Sequence, residues 1–137
     1  MKLVAFVLGA LLMNAAEPEE EVWRVVSDMA ASLSEPNPVA FMKAVSKTFP
    51  RYEYLEREVR GLCQANEVTS SITPFSNTGD GEKRILELDW YLEIHSQGDS
   101  SKATQRRQTI TVQLVKIGKR WQITSITPVE FFAHTTT

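Results

Sequence analysis

The segment that decides the fold is KRILELDWYLEIH, residues 83–95. Apolar residues alternate with charged or polar ones along its whole length. This period of two predicts a β-strand that buries one face. Antiparallel strands tolerate water on their second face, so the pattern indicates a sheet that is covered on one side only. The face predicted to be buried carries Leu86, Leu88, Trp90, Leu92 and Ile94.

The same periodicity continues on both sides of this segment. Ile110, Val112 and Leu114 share one face of the next strand, and Ile117-Gly118-Lys119-Arg120 predicts a tight hairpin after it. Glycine suits this hairpin because its first central residue needs a positive φ. The predicted strands are Glu67–Phe75, Lys83–His95, Thr104–Ile117 and one from Trp121 to near Phe132, with turns at Asn77–Gly81 and Gln97–Ser101.

The first half of the chain shows helical spacing instead. Val22, Val26, Met29 and Leu33 recur on one face of a predicted helix, with Val25 beside them. The predicted helices are Pro18–Leu33, a short one from Asn37-Pro38 to near Lys47, and Tyr52–Cys63 with Leu55, Val59 and Leu62 buried. The expected fold class is α+β: three N-terminal helices packed on a curved antiparallel sheet of four or more strands, like a cone.

The first sixteen residues have the features of a secretory signal peptide. Lys2 precedes the uncharged run Leu3–Met13, which is shorter than the ~20 apolar residues of a membrane span. Ala15 and Ala16 then offer small residues for cleavage. The alternative is an apolar helix that packs on the domain. The expected organisation is a signal peptide in residues 1–16, a domain in 17–132 and a frayed tail in 133–137, with export to the periplasm or the medium.

Composition excludes several classes of function. The chain has 137 residues, with 15 Lys plus Arg and 17 Asp plus Glu, so its net charge of -2 lacks the basic excess of a nucleic-acid binder. Its single cysteine, Cys63, permits neither an internal disulfide nor a Cys-x-x-Cys motif. No cysteine lies near the cleavage region, so no lipid anchor is expected there. With two distant histidines, we expect no metal and no cofactor.

The order of elements resembles the nuclear transport factor 2-like superfamily, whose members include ketosteroid isomerases and SnoaL-type cyclases. The features that carry the resemblance are the three helical stripes and the ending Gly118-Lys119-Arg120-Trp121-Gln122-Ile123. In that superfamily a Gly-x-x-Trp-x-Ile hairpin commonly leads into the last strand. The resemblance implies a cone whose open end can hold a small ligand, and frequent dimers through the sheet. It does not imply a reaction, because function resides in sites rather than in folds.

Strand parity argues against transferring an isomerase mechanism. Glu87, Asp89 and Glu93 fall opposite the apolar face, so no acid of these strands is expected to enter the cone. The leading hypothesis is therefore an exported, non-catalytic domain that binds a small ligand or a partner. The alternatives are a small enzyme of the isomerase, dehydratase or cyclase type, and a structural dimerisation module.

The ligand site is predicted where the helical layer ends. Polar residues on the otherwise apolar face mark that place, and Arg106 is also among them. The residues predicted to bind a neutral or weakly polar ligand are Trp90, Gln108, Ser125, Thr127 and Tyr54. The alternative is that these residues sit where the sheet leaves the helices and bind nothing.

The outer face of the sheet is predicted to be either solvated or a polar homodimer interface. Counting back from the turns places Arg107 near Tyr91 and Thr111 near Glu87. Tyr91 and Ile126 are the apolar points that would support a homodimer.

Export is directly testable. Expression of the whole chain in a secreting bacterial host should yield a mature protein that begins after Ala15 or Ala16, because the segment before them has signal character. Intact-mass analysis of the secreted product checks this, and a product that still begins at Met1 would contradict it.

Overall fold

The computed structural model describes residues 17–134, so the expected signal peptide and Thr135–Thr137 lie outside the described residues. Three α-helices precede a four-stranded antiparallel sheet, which confirms the predicted α+β class. The elements are α1 (Pro18–Ser34), α2 (Pro38–Lys43), α3 (Tyr52–Ala65), β1 (Asn66–Gly79), β2 (Lys83–Ser96), β3 (Asp99–Ile117), β4 (Arg120–Thr127) and a 3-10 helix (Val129–Phe132).

The sheet is a meander in which each strand pairs with the next, in the order β1-β2-β3-β4. Trp90 pairs with Gln108, Tyr91 with Arg107 and Glu87 with Thr111, as predicted. Gly118 has φ +64° at the β3–β4 hairpin, which confirms its expected role. The predicted apolar faces of β2 and β3 are buried beneath the helices.

Helix α2 ends at Lys43, earlier than predicted. Its start is capped as expected, since the Ala40 amide donates to Asn37 Oδ1 at 3.0 Å. The helix stops because the next residues pair with the free edge of β4. Ile123 N donates to Ala44 O and Ser46 N donates to Ile123 O, both at 2.8 Å. These two bonds satisfy backbone groups that would otherwise be unpaired.

Strand β1 runs further than predicted, to Gly79 instead of Phe75. A bulge lies at Phe75, because Pro74 pairs with Leu88 and Ser76 with Glu87. The extension is held by Arg84, whose Nε donates to Asn77 Oδ1 at 2.9 Å and whose terminal nitrogen donates to Asn77 O at 3.0 Å. The turn predicted at Asn77–Gly81 therefore begins only after Gly79.

A second bulge reverses the predicted faces of β4 from Ser125 onward. Leu114 pairs with Ile123 but Gln113 pairs with Ser125, so Thr124 is the extra residue. Each later side chain consequently points to the opposite face from the one predicted. Ser125 pairs with Gln113 and Thr127 with Thr111, on the outer side, while Ile126 is buried opposite Val112. Their predicted placement was wrong because a bulge leaves no mark in an alternating pattern.

The chain leaves the sheet after Thr127, before the predicted end of the last strand. Pro128 follows, and a proline has no N–H to donate to a continuing ladder. Val129–Phe132 then forms the 3-10 helix, which carries Phe131 and Phe132 into the core.

The core lies between the helices and the inner face of the sheet. The apolar residues that the sequence places on buried faces are buried, except Val25, which is partly buried against the core. Cys63 is buried near the end of α3. Among the described residues no helix is long and apolar enough to span a membrane.

A buried carboxylate ties the end of the domain to α3. Glu58 Oε1 accepts a hydrogen bond from the His134 amide at 3.2 Å and lies 2.8 Å from His134 Nδ1. Glu58 Oε2 lies 3.4 Å from Arg57 Nε. A Cβ at Gly61 would come within 2.9 Å of His134 Cγ, so the missing side chain permits this approach. Burial raises the pKa of Glu58, but the bonds from His134 and its charge outweigh burial and leave the pKa below its ordinary value.

The strand parity can be tested by two substitutions on β2. Leu88→Asp should cost several kcal/mol of unfolding free energy, because it buries an unpaired carboxylate at a fully buried position. Glu87→Ala, at an exposed neighbour, should change stability by less than about 0.5 kcal/mol. Thermal melts that gave the opposite ranking would contradict the observed faces.

The Glu58 contact predicts a specific loss of stability in acid. The folded-state pKa of Glu58 is lowered, so the ionised side chain stabilises the fold at pH values above its ordinary pKa of 4.5. This contribution disappears as the pH falls through the lowered folded-state pKa. Glu58→Gln should therefore flatten the dependence of unfolding free energy on pH between about pH 6 and about pH 3. The control is Glu53→Gln, at an exposed position of the same helix. Denaturant melts that showed equal slopes for Glu58→Gln and the parent protein would refute this role.

Candidate functional site

The indole of Trp90 lies in the core and has no surface left for a ligand. It is fully buried, and its Nε1 donates to Ser70 Oγ at 2.9 Å. The ring of Phe132 packs edge-on against it with centroids 4.9 Å apart, and Phe131 lies 6.4 Å away. The cone is therefore filled by aromatic rings at the depth of Trp90.

The five residues predicted to form one site do not come together. Ser125 and Thr127 lie on the outer face after the β4 bulge. The ring of Tyr54 contacts the Arg51 guanidinium, 4.1 Å from its centroid. Gln108 is adjacent to Trp90 in register, as predicted, but it is exposed.

A hollow of about 550 Å³ lies beside Gln108, and we call it the edge hollow. It exists because β3 is longer than its neighbour. The pairing of β4 reaches only Thr111, so the β3 edge from Asp99 to Ile110 has no partner strand on that side within the described part of the chain. The edge hollow is lined by four consecutive residues of β3 and four of the returning chain: Gln105, Arg106, Arg107, Gln108, Pro128, Glu130, Phe131 and Ala133.

Arg106 is the most unusual group in the edge hollow. One terminal nitrogen donates to Phe131 O at 2.8 Å, while its Nε is buried and has no hydrogen-bond partner among residues 17–134. No carboxylate within residues 17–134 forms an ion pair with it. Burial without a counter-charge lowers the pKa of its guanidinium.

The neighbouring charges do not neutralise Arg106. Arg107 also lines the edge hollow, but its Nε pairs with the Asp89 carboxylate of β2 at 2.9 Å. Glu130 also lines the edge hollow, but its carboxylate pairs with Arg51. An incoming anion would therefore find a guanidinium whose charge is uncompensated.

Two residues of the edge hollow could be identified from the sequence. Arg106 and Gln108 stand out as polar residues on an apolar face, at the place where the helical layer ends. Phe131 and Pro128 were missed, because the pattern extended the last strand through them. The one available signal was Pro128, which cannot donate to a ladder.

A second hollow, of about 570 Å³, lies between α2, α3 and β4, and we call it the α2 hollow. Its walls include Val39, Met42 and Lys43 from α2, Tyr52 from α3 and Arg120 from β4. It shares no residue with the edge hollow. Within residues 17–134, no group of three or more His, Cys, Asp or Glu side chains could hold a metal ion.

Comparison with known proteins gives the fold. No protein-family model and no curated protein matches the sequence. Solved structures do match it. A nuclear transport factor 2-like superfamily protein from Salmonella enterica has a TM-score of 0.67 at 12% identity, over 80% of this chain and 87% of that chain. A conserved protein from Planctomyces limnophilus has a TM-score of 0.72 at 8% identity, over 79% and 91%.

A third match carries the name of an activity. It is a proposed dehydratase of the nuclear transport factor 2-like family from Streptomyces avermitilis, with a TM-score of 0.62 at 10% identity over 78% of this chain and 92% of that chain. Identities this low show shared architecture alone. With the helix order, the meander and the curved open sheet, these matches establish that the chain has the nuclear transport factor 2-like fold.

Proposed function

We propose that this chain is a small-ligand-binding domain of the nuclear transport factor 2-like fold, with the edge hollow as its binding site. The observation that carries the proposal is the partly buried Arg106 guanidinium, which lines the hollow without a carboxylate partner. Keeping a charge partly buried without a counter-charge is unfavourable, and a bound anion would relieve that cost.

The lining of the edge hollow favours a small organic carboxylate. A guanidinium presents a planar fork that matches a carboxylate. Gln108 can donate and accept hydrogen bonds, and the ring of Phe131 provides an apolar wall. This chemistry replaces the neutral or weakly polar ligand predicted from Trp90 and the hydroxyl groups.

An enzyme of the dehydratase or isomerase type is the second candidate, and one observation favours it. The His134 imidazole contacts the buried Glu58 carboxylate, an arrangement that can orient a general base. His134 also follows Ala133, which lines the edge hollow. Against it, β2 and β3 bury no carboxylate on the inner face among the described residues.

The remaining proposals concern the partner and the location. A homodimer through the outer face has less support than the sequence suggested, because Ile126 is buried and leaves Tyr91 as the apolar point expected there. Export to the periplasm or the medium remains supported by the run Leu3–Met13 after Lys2.

Titration with benzoate tests the binding proposal. Benzoate should bind more tightly than benzamide, its neutral analogue, because only the carboxylate pairs with the guanidinium. Arg106→Gln should weaken benzoate binding by about tenfold to a hundredfold, the usual effect of losing a charged hydrogen-bonded contact. Isothermal titration calorimetry, supported by amide shifts in NMR spectra, measures both effects.

The matched control is Lys102→Gln, which removes one positive charge from an exposed position of the same strand outside the edge hollow. It should leave benzoate affinity unchanged. Equal affinity in Arg106→Gln and the parent protein, with both folded by circular dichroism, would refute the site.

A further inference from the structure

The α2 hollow concentrates positive charge in a chain whose net charge is -2. Four cationic side chains from different parts of the chain line it: Lys43, Lys47, Arg60 and Arg120. One carboxylate, Glu56, also lines it and lies 3.4 Å from Arg60. The local excess therefore comes from the fold and not from the overall composition.

Three of these cations have no counter-charge. No carboxylate within the described chain forms an ion pair with Lys43, Lys47 or Arg120. Like charges around one concave surface raise its positive potential and attract anions. The neighbouring hollow on the other side of α2 is lined by four cations and two carboxylates, whereas the α2 hollow has four cations and one carboxylate, so the excess is greater in the α2 hollow.

The floor of the α2 hollow is apolar. Met42 and Val45 are buried beneath it, and Val39, at its wall, is 71% exposed. The ring of Tyr52 completes the wall, with Lys47 Nζ 5.6 Å from its centroid. An apolar floor with a cationic rim is complementary to a molecule that has an apolar body and a negative head.

We propose that the α2 hollow binds an amphiphilic anion, a carboxylate carried on a short aliphatic chain. The head lies among Lys43, Lys47 and Arg120, and the chain covers Met42 and Val39. The volume of about 570 Å³ is within the range of small-ligand sites, roughly 300–1,000 Å³. This site is additional to the edge hollow and does not depend on it, since the two have no lining residue in common.

Octanoate is the probe that tests both halves of this chemistry. Acetate has the head without the chain, and octyltrimethylammonium has the chain with the opposite charge. Calorimetry should show octanoate binding about tenfold or more tightly than either, because each analogue loses one of the two contributions. Equal binding of octyltrimethylammonium would overturn the proposal.

Paired charge reversals locate the binding. Lys43→Glu with Lys47→Glu should reduce octanoate affinity about tenfold or more, through loss of attraction and gain of repulsion. Both side chains are exposed, so the fold should be retained. The matched control is Lys83→Glu with Lys102→Glu, which makes the same change in net charge at exposed positions outside both hollows, and it should leave affinity unchanged.

Two further arms separate binding in the α2 hollow from binding in the edge hollow and from attraction to net charge. Octanoate should still bind to Arg106→Gln. If octanoate binding were lost in Arg106→Gln and retained in Lys43→Glu/Lys47→Glu, the binding would be assigned to the edge hollow and the proposal would be refuted. Equal losses in the two double variants would also refute it, since they would indicate attraction to net charge alone. Co-sedimentation with phosphatidylglycerol vesicles, without binding of free octanoate, would overturn it in favour of a lipid surface.

Discussion

The interior of this fold depends on the contact between the indole of Trp90 and the rings of Phe131 and Phe132. Trp90 lies at the centre of the sheet, and its one polar atom is satisfied by Ser70. Edge-on aromatic pairs of this kind contribute about 0.5–1.5 kcal/mol beyond the area that they bury. Phe41 of α2 packs against Phe132 in turn, with centroids 5.3 Å apart. The helices, the sheet and the end of the domain therefore meet in one cluster of rings.

The filled cone determines where a ligand can bind. A small molecule cannot reach Trp90 without displacing the two phenylalanines, so the available surfaces are at the margins of the core. At one margin β3 continues past the end of β4, and the chain returning from Pro128 forms the opposite wall of the edge hollow. At the other margin α2 ends early to pair with β4, and the α2 hollow lies beside that junction.

The partners of each buried charged side chain distinguish structural groups from candidate functional ones. Glu58 is balanced by His134, and Arg84 donates to Asn77 and Asp80, so each has partners that account for its burial. Arg106 has one backbone acceptor and an unsatisfied Nε. A buried polar atom without a partner is uncommon in folded proteins, because its lost hydration is not replaced. A carboxylate ligand in the edge hollow would provide a counter-charge for this guanidinium.

Local sequence patterns were sufficient to predict the fold class, the order of the elements and most of the core. Alternation along β2, helical spacing in α1 and α3, and the glycine of the β3–β4 hairpin are local patterns, and each reports the structure of its own segment. The grouping of the polar residues is visible only in the folded chain. The extra residue at Thr124 turned Ser125 and Thr127 outward, the return of Phe131 filled the cone, and the pairing of Glu130 with Arg51 left Arg106 without a counter-charge. These outcomes depend on contacts between residues far apart in the chain, which the periodicity of a single segment does not record.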